Sequence, residues 1–233
     1  MKKAIVSGAF GGRYLRMAAV TFPTMQEYAK RIGAEFHALD KRAYPEPATP
    51  HWEKLQLRRF VESYDRTLWF DADIAVRDDT PDLFEIVPAG KLGAWDEAPF
   101  GPWDYPSFIS RWSAISDLGR ADYPGLHFNT GVMVFDRSHL PLFQDPPSFP
   151  GYDLLWDQGW INYLFALRRM SFFEITPRFN HMFIAPGERR ESYIIHYCGT
   201  VNGSGYARHI PPGGDYVDLI KADLVAWAAR RSA

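Results

Sequence analysis

Thr67-Leu68-Trp69-Phe70-Asp71-Ala72-Asp73-Ile74-Ala75-Val76 is the stretch on which the fold turns. Apolar runs of this kind form buried strands, and this one is interrupted by two carboxylates one residue apart. In extended backbone both would project to the same side and could share one divalent cation. Buried ionised groups without a counter-charge are costly, so the pair implies a cation. The competing reading is an exposed turn after the strand, and a D-x-D also arises by chance in an aspartate-rich chain. Asp78, Asp79 and Asp82, just downstream, fit turn and helix-capping roles.

Upstream, Ala4-Ile5-Val6 runs into Ser7, Gly8 and the Gly11-Gly12 pair, a strand entering a glycine-bearing loop. Leu15, Ala18, Ala19, Phe22, Met25 and Ala29 keep helical spacing, with Pro23 expected to kink that helix or split it in two. Gly33 ends it and residues 34–39 form a second strand. A proline-rich loop over 44–50 precedes a helix expected over 52–64. Strand, helix, strand, helix, strand at this spacing predicts a parallel α/β sheet, with the D-x-D at the carboxyl end of the third strand, where ligands bind in open α/β sheets.

Downstream, residues 97–126 lose their period and fill with Pro, Gly, Trp and Asp, predicting a long functional loop or a small insertion on the acceptor side. Its Trp103, Tyr105, Phe108 and Trp112 suit either a lid packed on the core or an aromatic floor for a ligand. Strands are expected at 127–136, 172–176 and 193–197, and helices at 157–169 and 215–230. No internal repeat or low-complexity tract interrupts this order.

Bulk composition narrows the function. With 233 residues, 46% hydrophobic and 23% charged, the chain can bury roughly 70% of its unfolded surface as a single domain, leaving metal-competent residues free for chemistry. The 26 basic and 28 acidic residues give a net charge of -2, which disfavours nucleic acid and anionic lipid as partners. Cys198 is the sole cysteine, so no internal disulfide forms and a reducing compartment is the simplest setting. The first apolar run is shorter than a signal-peptide core, and no stretch reaches the ~18 apolar residues of a membrane span, so a cytoplasmic location is expected.

Several further motifs recur in order. Lys54-Leu55 and Tyr64-Asp65 lead into the D-x-D strand; Phe128-Asn129-Thr130-Gly131-Val132 follows, then Asp157-Gln158 with Asn162, then Pro177, Phe179 and Asn180, then His196-Tyr197 with Gly199. In this order and spacing, across nearly the whole chain, the sequence resembles the nucleotide-sugar glycosyltransferases of GT-A fold, especially glycosyltransferase family 8, the glycogenin-like and lipooligosaccharide galactosyltransferase-like group. The resemblance implies a mixed, mostly parallel central sheet flanked by helices.

It also implies roles. Asp71, Asp73 and His196 would coordinate Mn2+ or Mg2+ against the two phosphates of the donor, although His196 taken alone, outside the motif set, would better suit a satisfied core histidine. Ser7, Gly8, Tyr14, Lys54 and Ala72 would meet the nucleotide, with core packing open for Tyr14 and a solvated helix face open for Lys54. Asp96, Asn129, Thr130, Asp157 and Gln158 would line the donor sugar. Asp157 and Gln158 carry the catalytic assignment, and Asp157 also stands where a helix N-cap is expected.

One departure stands out. The family carries a phosphate-gripping lysine three residues after the glycine of H-x-x-G, and here that position is Asn202. Gly199, Asn202 and Arg208 are the remaining candidates for phosphate contact, with backbone N–H groups of the glycine-rich loop.

The function implied is metal-dependent transfer of a sugar from a nucleotide diphosphate donor, UDP-linked in preference to GDP-linked, with retention of configuration. The acceptor is open among glycan, lipid-linked glycan, protein and small molecule. The alternatives are a sugar-nucleotide-binding module without turnover and a D-x-D phosphotransferase or phosphatase. In the latter the motif follows the first strand, whereas here it follows the third.

Overall fold

The runs expected to be strands are enclosed on both faces, and this organises the molecule. The computed structural model describes residues 1–44, 46, 48–198 and 205–231. Along the chain lie β1 (Lys3–Gly8), α1 (Gly12–Arg31), β2 (Glu35–Leu39), α2 (Arg58–Ser63), β3 (Arg66–Phe70), β4 (Ile74–Val76), α3 (Leu83–Ile86), β5 (Leu92–Ala94) and α4 (Tyr105–Ile115). They are followed by β6 (Val132–Asp136), α5 (Trp156–Arg168), β7 (Phe172–Glu174), β8 (Ile194–His196) and α6 (Tyr216–Arg231).

Six strands form one sheet in the order β2-β1-β3-β6-β5-β7. β1 is parallel to β2 and β3, β6 is antiparallel to β3 and β5, and β7 is parallel to β5. The sheet is therefore mixed and mostly parallel, as expected. Ala4, Val6, Trp69, Met133 and Phe135 point into an apolar cluster containing Trp52, Trp112 and Trp160. Their neighbours Ile5, Leu68, Phe70, Val132 and Val134 point into the opposite cluster with Met25 and Tyr28 of α1. This is the period-two alternation of strands covered by helices on both sides. Fully burying one such side chain is worth roughly 1.5–3 kcal/mol.

The structure corrects several expectations. The run over 67–76 is not one strand: β3 stops at Phe70, and Ile74 N donates to Asp71 O at 3.2 Å, closing a turn. Continuing the strand would have driven both carboxylates between two apolar layers. β4 instead leaves the main sheet and pairs antiparallel with β8, with Ile74 opposite His196.

α1 is not split, because Pro23 lies on its exposed face, where the carbonyl left without a partner is open to water. The helix expected over 52–64 begins as a 3-10 segment, Pro50–Leu57, and is α-helical only in α2. Trp52, Glu53, Lys54, Leu55 and Leu57 are all buried, so the segment has no single apolar stripe.

Residues 97–126 contain α4, capped by Asp104 accepting from Ser107 N at 3.2 Å. Tyr105 and Trp112 are 3% and 0% exposed, which settles the aromatic residues of this stretch largely as core packing. Among the described residues, no helix is long and apolar enough to cross a membrane.

Candidate active site

The end of β3 and the β4–β8 pair build the centre of the site. Asp71 N donates to Gly131 O at 2.9 Å, which ties the D-x-D turn to the residue preceding β6. Tyr197 N donates to Asp73 O at 2.8 Å, so the register that sets Ile74 opposite His196 also draws Asp73 to the end of β8. His196 Nε2 then lies 3.3 Å from Asp73 Oδ1 and 3.7 Å from Asp71 Oδ2.

Ligand atoms of Asp71, Asp73 and His196 all lie within 4.8 Å of one another. His196 and Asp73 are 3% and 6% exposed. The three residues thus converge in a largely buried turn rather than the exposed turn weighed as the alternative.

On the far side of the ring, His196 Nδ1 is 3.0 Å from Asn180 Oδ1, and Asn180 Nδ2 donates to Asn129 Oδ1 at 2.9 Å. The amide oxygen therefore receives Nδ1–H, and Nε2 is turned toward the carboxylates. Burial pushes the His196 pKa down, but Asp73 outweighs it, followed by Asp71, and the imidazole is held above its ordinary value. Two carboxylates and one imidazole nitrogen are the donor set expected of a Mn2+ or Mg2+ site with open positions, so the residues present fit such a cation.

Lys54 is not a solvated helix residue. It is 5% exposed, and its Nζ sits 2.8 Å from Asp157 Oδ2, 3.1 Å from Asp71 Oδ1 and 2.9 Å from Thr130 Oγ1. Burial pushes the Lys54 pKa down, yet Asp157 and then Asp71 hold it above the usual lysine value. For Asp71 burial pushes up, and Lys54 followed by His196 hold it below the usual carboxylate value.

Asp157 does not cap α5. Leu155 occupies the cap in a left-handed conformation, Asp157 lies inside the first turn, and its carboxylate is taken by Lys54 and by Thr130 Oγ1 at 3.2 Å. The ion pair won because a buried ammonium without a partner costs far more than a missing cap.

Gln158 and Asn129 meet beside this centre. Asn129 Nδ2 donates to Gln158 Oε1 at 3.1 Å, and Thr130 N donates to the same oxygen at 3.3 Å. Glu97, which sequence reasoning passed over in favour of Asp96, is 1% exposed and joins both. It accepts from Gln158 Nε2 at 2.7 Å, Asn129 Nδ2 at 3.1 Å and Tyr105 Oη at 3.2 Å. Asp96 Oδ1 instead accepts the backbone N–H of Ala98 at 3.1 Å and His127 at 2.9 Å, shaping the loop.

Nothing in adjacent Asp96-Glu97 distinguishes the two acids by sequence. Three carboxylates, of Asp71, Asp73 and Asp157, thus meet one lysine and one imidazole. That surplus of negative charge favours an added cation.

The nucleotide-side expectations are placed as follows. Ser7 is fully buried at the end of β1, its hydroxyl without a hydrogen-bond partner, and Gly8 is tight, since a Cβ there would meet Phe10 and Leu39 at 3.0 and 3.1 Å. Tyr14 is half-buried and packs on Ala9, Ala18 and Ala72. Ala72 sits between the two acids, so Tyr14 borders the D-x-D turn. Arg208 is exposed and donates from Nε to His209 Nε2 at 3.3 Å. Gly199 and Asn202 lie outside the described residues.

No sequence-family model matches the chain, and no curated protein matches it. Solved structures do. A glycosyltransferase involved in glycosylating the major capsid of PBCV-1 superposes with a TM-score of 0.63 at 16% identity, covering 95% of this chain and all of that one. The galactosyltransferase LgtC, in complex with donor and acceptor sugar analogs, gives 0.55 at 16% identity, covering 97% of this chain and 96% of that one. The glycosyltransferase GlyE of Streptococcus pneumoniae TIGR4 gives 0.52 at 17% identity, covering 99% of this chain and 64% of that one. The chain has the same GT-A-type fold as these proteins and resembles family 8 in its architecture.

Proposed function

We propose that this GT-A-fold chain is a metal-dependent glycosyltransferase that takes a sugar from a nucleotide diphosphate donor, a UDP-sugar in preference, and transfers it with retention. The observation that carries the reading is the meeting of Asp71, Asp73 and His196 Nε2 at the carboxyl end of β3, with Nδ1 engaged by Asn180. When bound, Mn2+ or Mg2+ would neutralise charge on the departing diphosphate.

The chain's own residues supply the rest. Lys54 fixes Asp71 and Asp157 relative to each other, Asn129 holds Gln158 in place, and Gln158, which gives one Nε2 proton to Glu97, keeps the other for the sugar. Asp157, the kind of carboxylate that could act as a covalent nucleophile, is engaged by Lys54 Nζ and Thr130 Oγ1 instead. A same-face substitution fits that inventory: the acceptor oxygen bonds to the anomeric carbon as the carbon–phosphate oxygen bond breaks, and the hydroxyl proton passes to the departing phosphate. The LgtC structures include an active-site mutant with glutamine changed to glutamate. Gln158, beside Asp157 and the acidic centre, is the glutamine we assign to the comparable place.

Incubation with UDP-sugars and Mn2+ tests the reading. Donor hydrolysis or transfer should appear, should vanish with EDTA, and should yield a product of unchanged anomeric configuration by NMR. An inverted product would exclude the same-face mechanism. Tight UDP-sugar binding with no turnover would favour the runner-up, a binding module.

A further inference from the structure

Glu97 touches neither Asp71, Asp73 nor His196, yet it begins a line of amides that ends on the imidazole. Glu97 Oε2 faces Asn129 Nδ2 at 3.1 Å, Asn129 Oδ1 faces Asn180 Nδ2 at 2.9 Å, and Asn180 Oδ1 faces His196 Nδ1 at 3.0 Å. The Asn129 group turned toward the Glu97 carboxylate is the amine, which donates to it. Asn129 then presents its oxygen to Asn180, which must answer with its own amine, and Asn180 presents its oxygen to the ring. Each partner has one way to face. The backbone agrees, because Gly131 N donates to Asn129 Oδ1 at 2.9 Å.

We propose that Glu97 is a positioning residue that sets the tautomer of His196 through Asn129 and Asn180, placing the ring proton on Nδ1 and leaving the Nε2 lone pair for the cation. The inference rests on the metal-site reading above. Outer hydrogen-bond partners commonly fix which histidine nitrogen binds a metal. Here the partner is two amides removed from the charge that orients it.

The same carboxylate orients Gln158, whose Nε2 donates to Glu97 Oε1 at 2.7 Å while its Oε1 accepts from Asn129 Nδ2 and Thr130 N. A glutamine at position 97 would have to point its own amine at Gln158 or at Asn129. The first choice opposes two donors at Gln158. The second reverses Asn129 against Gly131 N–H and passes the reversal to the ring. Neither leaves every group paired, and burial makes the mismatch costly. Asn180→Asp separates this relay from a generic structural role, because an aspartate there accepts Nδ1–H whatever Glu97 does.

The test is Mn2+ titration of wild type, Glu97→Gln, Asn180→Asp and the double variant, with thermal melts of each, alongside 15N NMR of the His196 ring in the metal-free wild type at alkaline pH. The relay predicts Nδ1–H in the wild type, Mn2+ affinity weaker by about 10- to 100-fold in Glu97→Gln, and restoration in the double variant to the level of Asn180→Asp.

Wild-type affinity in Glu97→Gln, or no restoration in a folded double variant, overturns the proposal. So does an Nε2–H tautomer in the wild-type spectrum, which decides the matter even where Glu97→Gln does not fold. Failure of the wild type to bind Mn2+ would instead overturn the metal-site reading, and the tautomer would still test the relay.

Discussion

Gly131 and His196 pack against each other where a side chain would stand: a Cβ on Gly131 would lie 2.6 Å from His196 Nδ1 and 2.9 Å from Asn129 Oδ1. No real Cβ tolerates such approaches, so the glycine of the Asn129-Thr130-Gly131 run is required by the ring that β8 delivers. Gly131→Ala should push the imidazole off its line to Asp73. We expect a stability loss of about 1–3 kcal/mol and Mn2+ affinity at least tenfold weaker, on the order of an outer-shell lesion. Isothermal titration at wild-type affinity would show that the contact does not position the ligand.

Lys54→Met removes the counter-charge of Asp71 and Asp157 together. Breaking a buried pair by deleting one partner costs about 3–5 kcal/mol, chiefly from the stranded charge. Because Asp71 also belongs to the cation site, added Mn2+ should recover more stability in this variant than in the wild type. Thermal melts with and without Mn2+ measure the difference, and an equal shift in both proteins would contradict the shared use of Asp71.

The same pair predicts a pH dependence. Asp71 is held below the ordinary value of 3.8, so its contribution is present above that value and is lost as pH falls through the folded pKa. Lys54 is held above 10.5, so its contribution is present below that value and is lost as pH rises through the folded pKa. These are two views of one interaction and do not add. Chemical denaturation across the acid range should give a shallower loss for Lys54→Met than for wild type, and parallel curves would refute the assignment.

Asp223→Asn tests how α6 supports the site. Asp223 is fully buried and accepts from Arg189 Nε at 2.8 Å and Nη2 at 3.1 Å, Arg190 Nε at 2.7 Å and Tyr197 Oη at 3.1 Å. Tyr197 is also the residue whose N–H holds Asp73 O. The substitution leaves the mostly buried Arg189 short of its anion, for about 3–5 kcal/mol, while the half-exposed Arg190 can turn to water. Limited proteolysis should cleave near α6 faster, and Mn2+ binding should weaken with it. Unchanged cleavage would argue that α6 docks without this anchor.

Asp73→Asn should abolish the thermal stabilisation that UDP with Mn2+ confers on the wild type, since a ligand bound only by the native state raises its stability. At free ligand a hundredfold above Kd that stabilisation is about 2.7 kcal/mol. A shift retained in Asp73→Asn, or equally large without Mn2+, would remove Asp73 from the nucleotide site.

Much of this site was legible because it is written locally. The apolar runs of β1, β3 and β6, the carboxylates one residue apart and the ordered motifs ending in His196 all declare themselves within a few residues. Gly131, Asn162 and Asn180 were visible only as motif members. Asn162 proves to clasp Phe128, accepting from its N–H at 3.0 Å and donating to its O at 2.9 Å. Where periodicity misled, burial was the reason: residues 50–57 are enclosed on nearly every side, and the strand ran on past Phe70 only on paper.

From residue order alone came the sheet's character, the acidic pair after its third strand and the identity of the distant histidine, since strand patterning and short motifs depend on near neighbours. Tertiary structure decided that Asp157 answers Lys54 instead of capping a helix, that Glu97 and not Asp96 enters the amide network, and which face His196 turns to the acids. Each of those depends on strand register and on buried charges finding partners far along the chain, and no local pattern encodes such partnerships.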